Sequence, residues 1–163
     1  MPVRVAFYKG RQTKLDRALS WWMSSPYSHC EIVLRTEPDG RGLCVSSSNR
    51  DGGVRIKAID VRDGKWDVFW FNSPAEYAWH WARRHAGQKY DLIGLLGFDF
   101  RPVRGESQRW WCSEACAAML QIPDPWRYDV ATLASAVRYS SIDLHTGDTL
   151  ADIDSASGRL TDL

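Results

Sequence analysis

The chain has no long apolar run. Its longest apolar stretch, residues 92–98, is interrupted by Gly94 and Gly97, far short of the roughly 18 residues that a membrane-crossing helix needs. It has no excess charge of either sign: 21 Lys and Arg stand against 20 Asp and Glu, a formal net charge of +1. Nothing in that balance calls for nucleic acid or an anionic membrane as partner. Cysteine is scarce, with Cys30, Cys44, Cys112 and Cys116. A chain of this length and apolar content needs no disulfide framework, so the four are read as reduced thiols. Residues 1–10 carry Arg4 and Lys9 but no apolar core follows them, so the pattern of a secretory signal is missing. No C-x-x-C or H-x-x-x-H pair is present, which leaves little support for a zinc site built on Cys112 and Cys116 with two histidines. No G-x-S-x-G is present either, which weakens a serine-hydrolase reading. No internal repeat is visible, and no cofactor is expected.

What is present describes one folded domain. The 163 residues are 44% hydrophobic and 25% charged, a globular composition. The pattern predicts a strand over 3–8, then a helix over 14–23 with Thr13 as N-cap. Strands follow over 30–34, beginning near His29, and over 43–47, 54–59 and 66–71. A helix over 75–86 ends at Gly87. A short helix over 90–97, a loop over 98–109, and helices over 112–120 and 129–137 complete the core. Strands grouped in the middle with helices after them predict an α+β fold. A catalytic domain is expected over 1–142, and a polar tail, extended or mobile, over 143–163. The nine tryptophans suit core and groove walls. Some of them suit the lining of a groove for a sugar- or acyl-bearing substrate.

Two places carry chemistry. In Trp110-Trp111-Cys112-Ser113-Glu114-Ala115-Cys116, a cysteine opens an apolar helix. A thiol in the first turn faces the positive end of the helix dipole, which favours the nucleophilic thiolate. The competing reading is a small buried hydrophobe. Cys116, one turn on, reads as packing. Among the four histidines, His80 and His85 lie on a charged helix and are expected to face solvent, and His145 sits in the tail. His29 instead opens a strand. In Ser28-His29-Cys30-Glu31-Ile32, alternation puts His29 and Glu31 on one face and Cys30 and Ile32 on the other. A carboxylate beside an imidazole can hold its tautomer and stabilise its protonated form. The competing reading is the exposed polar face of an edge strand.

The order of these features resembles the circularly permuted branch of the papain-like fold. That branch includes YiiX-like amidases related to the NlpC-type cell-wall peptidases, and relatives of lecithin retinol acyltransferase. The resemblance rests on Ser28-His29 opening a strand, on Gly53-Val54 and Tyr90-Asp91, and on Cys112-Ser113-Glu114 opening an apolar helix much later. It implies a central antiparallel sheet packed against helices, with Cys112 as nucleophile and His29 as general base. In many such enzymes the third residue is polar and stands on the strand after the histidine strand. Here that strand offers only serines, so Glu31 is expected in the role, with Ser46 as the alternative. Tyr8, Tyr27, Tyr90 and Trp111 are expected to line the substrate groove because they flank these residues in sequence. The implied activity is cleavage of peptide bonds in bacterial cell-wall peptidoglycan. The alternatives are a lipid-directed thioesterase or acyltransferase of the same chemistry, or a silent binding module. Without a leader, a cell-wall enzyme reaches its substrate as part of a larger assembly such as a phage tail, or on lysis. The expected location is therefore cytoplasmic or virion-associated.

Overall fold

A computed structural model describes residues 2–11, 13–97 and 108–144. The fold is mixed α+β, built on a sheet of seven strands. In chain order these are β1 (Val3–Tyr8), β2 (His29–Thr36), β3 (Gly42–Ser48), β4 (Gly53–Ile59), β5 (Trp66–Phe71), β6 (Lys89–Tyr90) and β7 (Arg109–Trp110). Their spatial order is β5-β1-β2-β3-β4-β6-β7. All neighbours are antiparallel except β6 and β7. The helices are α1 (Lys14–Trp22), α2 (Ala75–His85), α3 (Leu92–Gly97), α4 (Cys112–Met119) and α5 (Val130–Leu144).

Alternation along the strands sorts side chains between two faces. On one face Val5 and Phe7 of β1, Cys30 and Ile32 of β2 and Val45 of β3 meet α2, α4 and α5 in the main core. On the other, Ala6, Val33, Cys44 and Val61 form a smaller cluster with Ile59 and Trp66. Full burial of a side chain the size of Phe7 or Ile32 contributes about 1.5–3 kcal/mol. The helices fit this core by spacing. α2 buries Ala78, Trp81 and Ala82, and α5 buries Val130, Leu133, Ala134 and Val137, both on a single stripe. α4 is buried nearly all round, which small residues such as Ala115, Cys116 and Ala117 permit.

Most predicted elements stand within a residue or two of their observed bounds. At the start of α1, Thr13 forms a reciprocal capping box with Asp16: Thr13 Oγ1 accepts from the Asp16 N–H and the Asp16 carboxylate accepts from the Thr13 N–H. Three elements differ. The helix expected over 90–97 is split, because the Tyr90 N–H bonds to the Gly52 carbonyl in a strand. Asp91 then starts α3 by accepting from the Gly94 N–H at 2.7 Å. Arg109 and Trp110, expected in a loop, pair in parallel with β6, and residues 98–107 of that loop lie outside the described residues. The last helix begins where Asp129 accepts from the Thr132 N–H. It continues to Leu144, seven residues past its expected end at 137. The rest of the expected tail lies outside the described residues.

The turn that aligns β4 with β6 depends on glycine. Gly53 has φ +150°, and a Cβ there would sit 1.9 Å from the Gln88 carbonyl oxygen. Gly52 has φ +82° with open space around it. Gly52→Ala is expected to cost about 1–2 kcal/mol, the left-handed penalty alone. Gly53→Ala must also push β4 and β6 apart, and should cost more. In thermal melts each 1 kcal/mol lowers Tm by about 2–4 °C at this size. Equal melting temperatures for the two variants would refute the close approach.

Candidate active site

The frame that holds Cys112 is built first. β7 delivers the chain to α4, and three contacts fix it. Ser47 Oγ donates to the Trp110 carbonyl at 2.6 Å, the Asp91 N–H donates to the same carbonyl at 3.2 Å, and Trp110 Nε1 donates to Gln88 Oε1 at 2.7 Å. Trp111 is the N-cap of α4 in extended conformation. It has no hydroxyl to offer, but the Glu114 side chain reaches back to accept from its N–H, half of a capping box. Burial nevertheless pushes the Glu114 carboxyl up to about 8. Cys112 opens α4 with the Ser113 N–H beside its sulfur, and its residue exposure is 3%.

Four groups meet the Cys112 sulfur. The Cys30 thiol donates to it, as do the His29 imidazole and the Ser113 backbone N–H, and together these hold Cys112 well below the usual thiol range although burial acts in the opposite direction. The fourth is Tyr90, whose hydroxyl also hydrogen-bonds to Cys112. Burial and the neighbouring sulfur charge push the Tyr90 hydroxyl well above its usual value, so it remains a donor. Cys30, buried and beside Cys112 and Cys116, is likewise pushed up and stays a thiol.

His29 connects this sulfur to a buried carboxylate. Burial works against its protonated form, yet hydrogen bonds to Cys112 and Glu31 outweigh burial and raise it to about 10. His29 Nε2 lies 2.8 Å from Glu31 Oε1, which leaves Nδ1 for the thiol. The Glu31 side chain has 0% exposure. Burial would raise its carboxyl, but Arg55 first and His29 second hold it below the usual carboxylate range. Arg55 grips Glu31 with both terminal nitrogens, Nη1 to Oε2 at 2.7 Å and Nη2 to Oε1. Its Nε donates to Asp51 Oδ2 at 2.8 Å, and Lys57 Nζ reaches Asp51 Oδ1 at 3.1 Å. The directions of these shifts favour a thiolate–imidazolium pair backed by a carboxylate–guanidinium pair.

A cleft of about 330 Å³ opens on this assembly. His29, Glu31 and Tyr90 line it, with Tyr8 and Trp66 on one side and Arg50 among the charged residues on another. Tyr8 packs on Trp66 with ring centroids 4.9 Å apart, and Arg50 is held by Asp16 at 2.6 Å.

Cys112, His29 and Glu31 are thus brought together, and Tyr8 and Tyr90 reach the cleft. The other expectations need correction. Tyr27 is a core residue: its ring packs on Phe7 at 5.4 Å and its hydroxyl donates to Asp67 at 2.8 Å. Trp111 is 1% exposed, with Nε1 donating to the Tyr128 carbonyl, so it supports the site from below and does not line the groove. Ser46 is buried and its hydroxyl donates to the Ser47 carbonyl, with Cys116 Sγ at 3.9 Å; Glu31, and not Ser46, holds the His29 ring. β2 is not an edge strand but lies between β1 and β3. His85 is half-buried: it stacks on Trp81 at 4.1 Å, edge-on to Trp110. Arg55 was not legible in the sequence. Only the alternation of β4 hinted that it shares a face with a neighbouring strand.

No known protein family matches the sequence, and no curated protein matches it. Among solved structures it is similar to the metalloprotein YiiX from Escherichia coli O157:H7 (DUF1105), with a TM-score of 0.47 and 16% identity over 74% of this chain. The chain spans 64% of that protein's length. Among the described residues, no group of three or more His, Cys, Asp and Glu side chains is disposed to hold a metal ion.

The sulfur's ionisation is open to direct measurement. The rate of Cys112 carboxamidomethylation by iodoacetamide is expected to stay flat from below neutral pH upward. In His29→Ala its midpoint should move up toward about 8.5, the free-thiol value. His29 itself should keep its proton until pH nears about 10, seen in imidazole nitrogen shifts. A folded value raised from 6.5 means that its contribution to stability is full below 6.5 and lost as pH rises through about 10. A midpoint near 8.5 in both proteins would eliminate the ion pair.

Proposed function

We propose that the chain is a cysteine-dependent amide hydrolase with the permuted papain-like arrangement, the histidine strand preceding the cysteine helix. The observation that carries this reading is the buried Cys112 at the start of α4 beside His29, whose Nε2 lies 2.8 Å from Glu31 Oε1. In the reaction Cys112 Sγ attacks the carbonyl carbon, and the carbonyl π pair moves onto oxygen. His29 gives its proton to the departing amine nitrogen as the C–N bond breaks. It then takes a proton from the water that hydrolyses the thioester. The Cys112 backbone N–H is one donor for the oxyanion. The Tyr90 hydroxyl, which meets the sulfur and lines the cleft, is the second.

The cleft has a mixed lining. Asp16, Asn49, Arg50, Asp51 and Lys57 offer a peptide ion-pair and hydrogen-bond partners, while Leu19, Ile59 and Trp66 offer apolar surface. Peptides of bacterial cell-wall peptidoglycan are the substrate class proposed, by the resemblance described above, and delivery within a phage tail or similar assembly is the proposed route.

Release of free amines from soluble peptidoglycan peptides tests the reading. Wild type should turn over, while Cys112→Ala and His29→Ala should each lose at least about 10³-fold. Tyr90→Phe should lose about 10²–10³ in kcat with KM little changed, as for one oxyanion donor. Hydrolysis should decline above about pH 10 as His29 loses the proton it must donate. Undiminished turnover in Cys112→Ala would end the proposal. Thioester cleavage without amide cleavage would move it to the acyl-transfer alternative.

A further inference from the structure

The buried site contains more charge than a cysteine–histidine pair requires. Glu31 is fully buried and ionised, and Arg55, with a side-chain exposure of 16%, is committed to it by two hydrogen bonds. Summing the ionised groups explains why. Cys112 and Glu31 contribute two negative charges, and His29 alone contributes one positive. That trio would place a net negative charge in a buried site, where uncompensated charge is costly. Arg55 brings the sum to zero. Its other partner, Asp51, is itself met by Lys57, so that outer pair is balanced and leaves the Arg55 charge available to Glu31. Among the other titratable groups around the site, Cys30 and Tyr90 stay protonated beside the sulfur, and Cys116 neighbours Cys30. Burial pushes Glu114 up to about 8, so it is largely the neutral acid at pH 7. Asp91 acts on Tyr90 and accepts from the Gly94 N–H, a contribution common to every variant compared below, and Asp16 pairs with Arg50.

We propose that Arg55 is the positioning residue on which the Cys112 thiolate depends: by neutralising Glu31 it leaves the buried site without net charge when Cys112 and His29 are both ionised. The Arg55 hydrogen bonds go to Glu31 and Asp51 and not to the sulfur or the imidazole, so it acts through Glu31. Without it, the site takes up one more proton at neutral pH, and Cys112 is the group that takes it. A role confined to steering the Glu31 side chain makes a different prediction. If only geometry mattered, removing Glu31 and Arg55 together would be as harmful as removing Arg55. If charge balance matters, the double removal restores a neutral site and with it the thiolate.

The inference rests on the thiolate–imidazolium reading of the site, and its test needs no substrate. Alkylation of Cys112 by iodoacetamide is followed against pH by peptide mass spectrometry. The proteins are wild type, Arg55→Met, Glu31→Gln and the double variant, with circular dichroism and melts to show that each is folded. The acid limb should move up by about 1–3 pH units in Arg55→Met. It should stand at or below wild type in Glu31→Gln and return close to wild type in the double variant. If Arg55→Met does not fold, Arg55→Lys and the double variant decide the matter, since both must keep the wild-type limb. An Arg55→Met profile superposed on wild type, or a double variant shifted upward, overturns the inference while the cysteine reading stands. An ordinary thiol profile in wild type itself overturns both.

Discussion

Glu31 is the residue around which the site is organised. A carboxylate with no solvent contact survives only if cations and hydrogen bonds replace the water it has lost. Here the replacement comes from two directions, His29 on its own strand and Arg55 on β4. Removing one partner of such a buried pair typically costs about 3–5 kcal/mol, so the same contacts that tune the imidazole also tie β2 to β4 across β3. Stability and ionisation are therefore carried by one set of bonds.

The sulfur is held by a different device. α4 is buried on nearly every side, so its N-terminus is fixed by core burial together with the Glu114 side chain on the Trp111 N–H. Ser47, Asp91 and Gln88 fix Trp110 through backbone and indole contacts, and the Tyr128 carbonyl holds Trp111. Rigid support of this kind fixes the start of α4 and lets a short parallel pairing, β6 with β7, place Tyr90 beside Cys112. The close approach at Gly53 belongs to the same frame, since it allows β6 to pair with β4. The site thus sits where the strand carrying His29 meets the start of α4. His29, Glu31 and Tyr90 open to the cleft, and the sulfur lies behind them.

Strand and helix placement was largely written in local patterns. Alternation in β1 and β2, the Thr13–Asp16 box, and the apolar spacing of α2 and α5 are properties of neighbours in sequence, and short-range sterics and burial enforce them. The pairing of His29 with Glu31 was legible for the same reason, being separated by two residues on one strand. The split at Tyr90–Asp91 was not, because the hydrogen bonds that make Tyr90 a strand come from Gly52, far away in the chain. Tyr27 and Trp111 were misjudged because nearness in sequence does not say to which side of the sheet a ring turns. The partners that claim them, Asp67 and Tyr128, are distant.

The sequence by itself determined the α+β class, the opening of α4 by a cysteine, and a histidine and a carboxylate on one strand face. These follow from periodicity and from the chemistry of single residues. Only the tertiary structure decided that Cys112 meets His29, that Tyr90 joins them, that Ser46 does not, and that Arg55 closes the charge balance. Each of those is a contact between residues far apart in the chain. Sheet order and register bring them within hydrogen-bonding distance, and the cost of burying unbalanced charge selects which of them must be present.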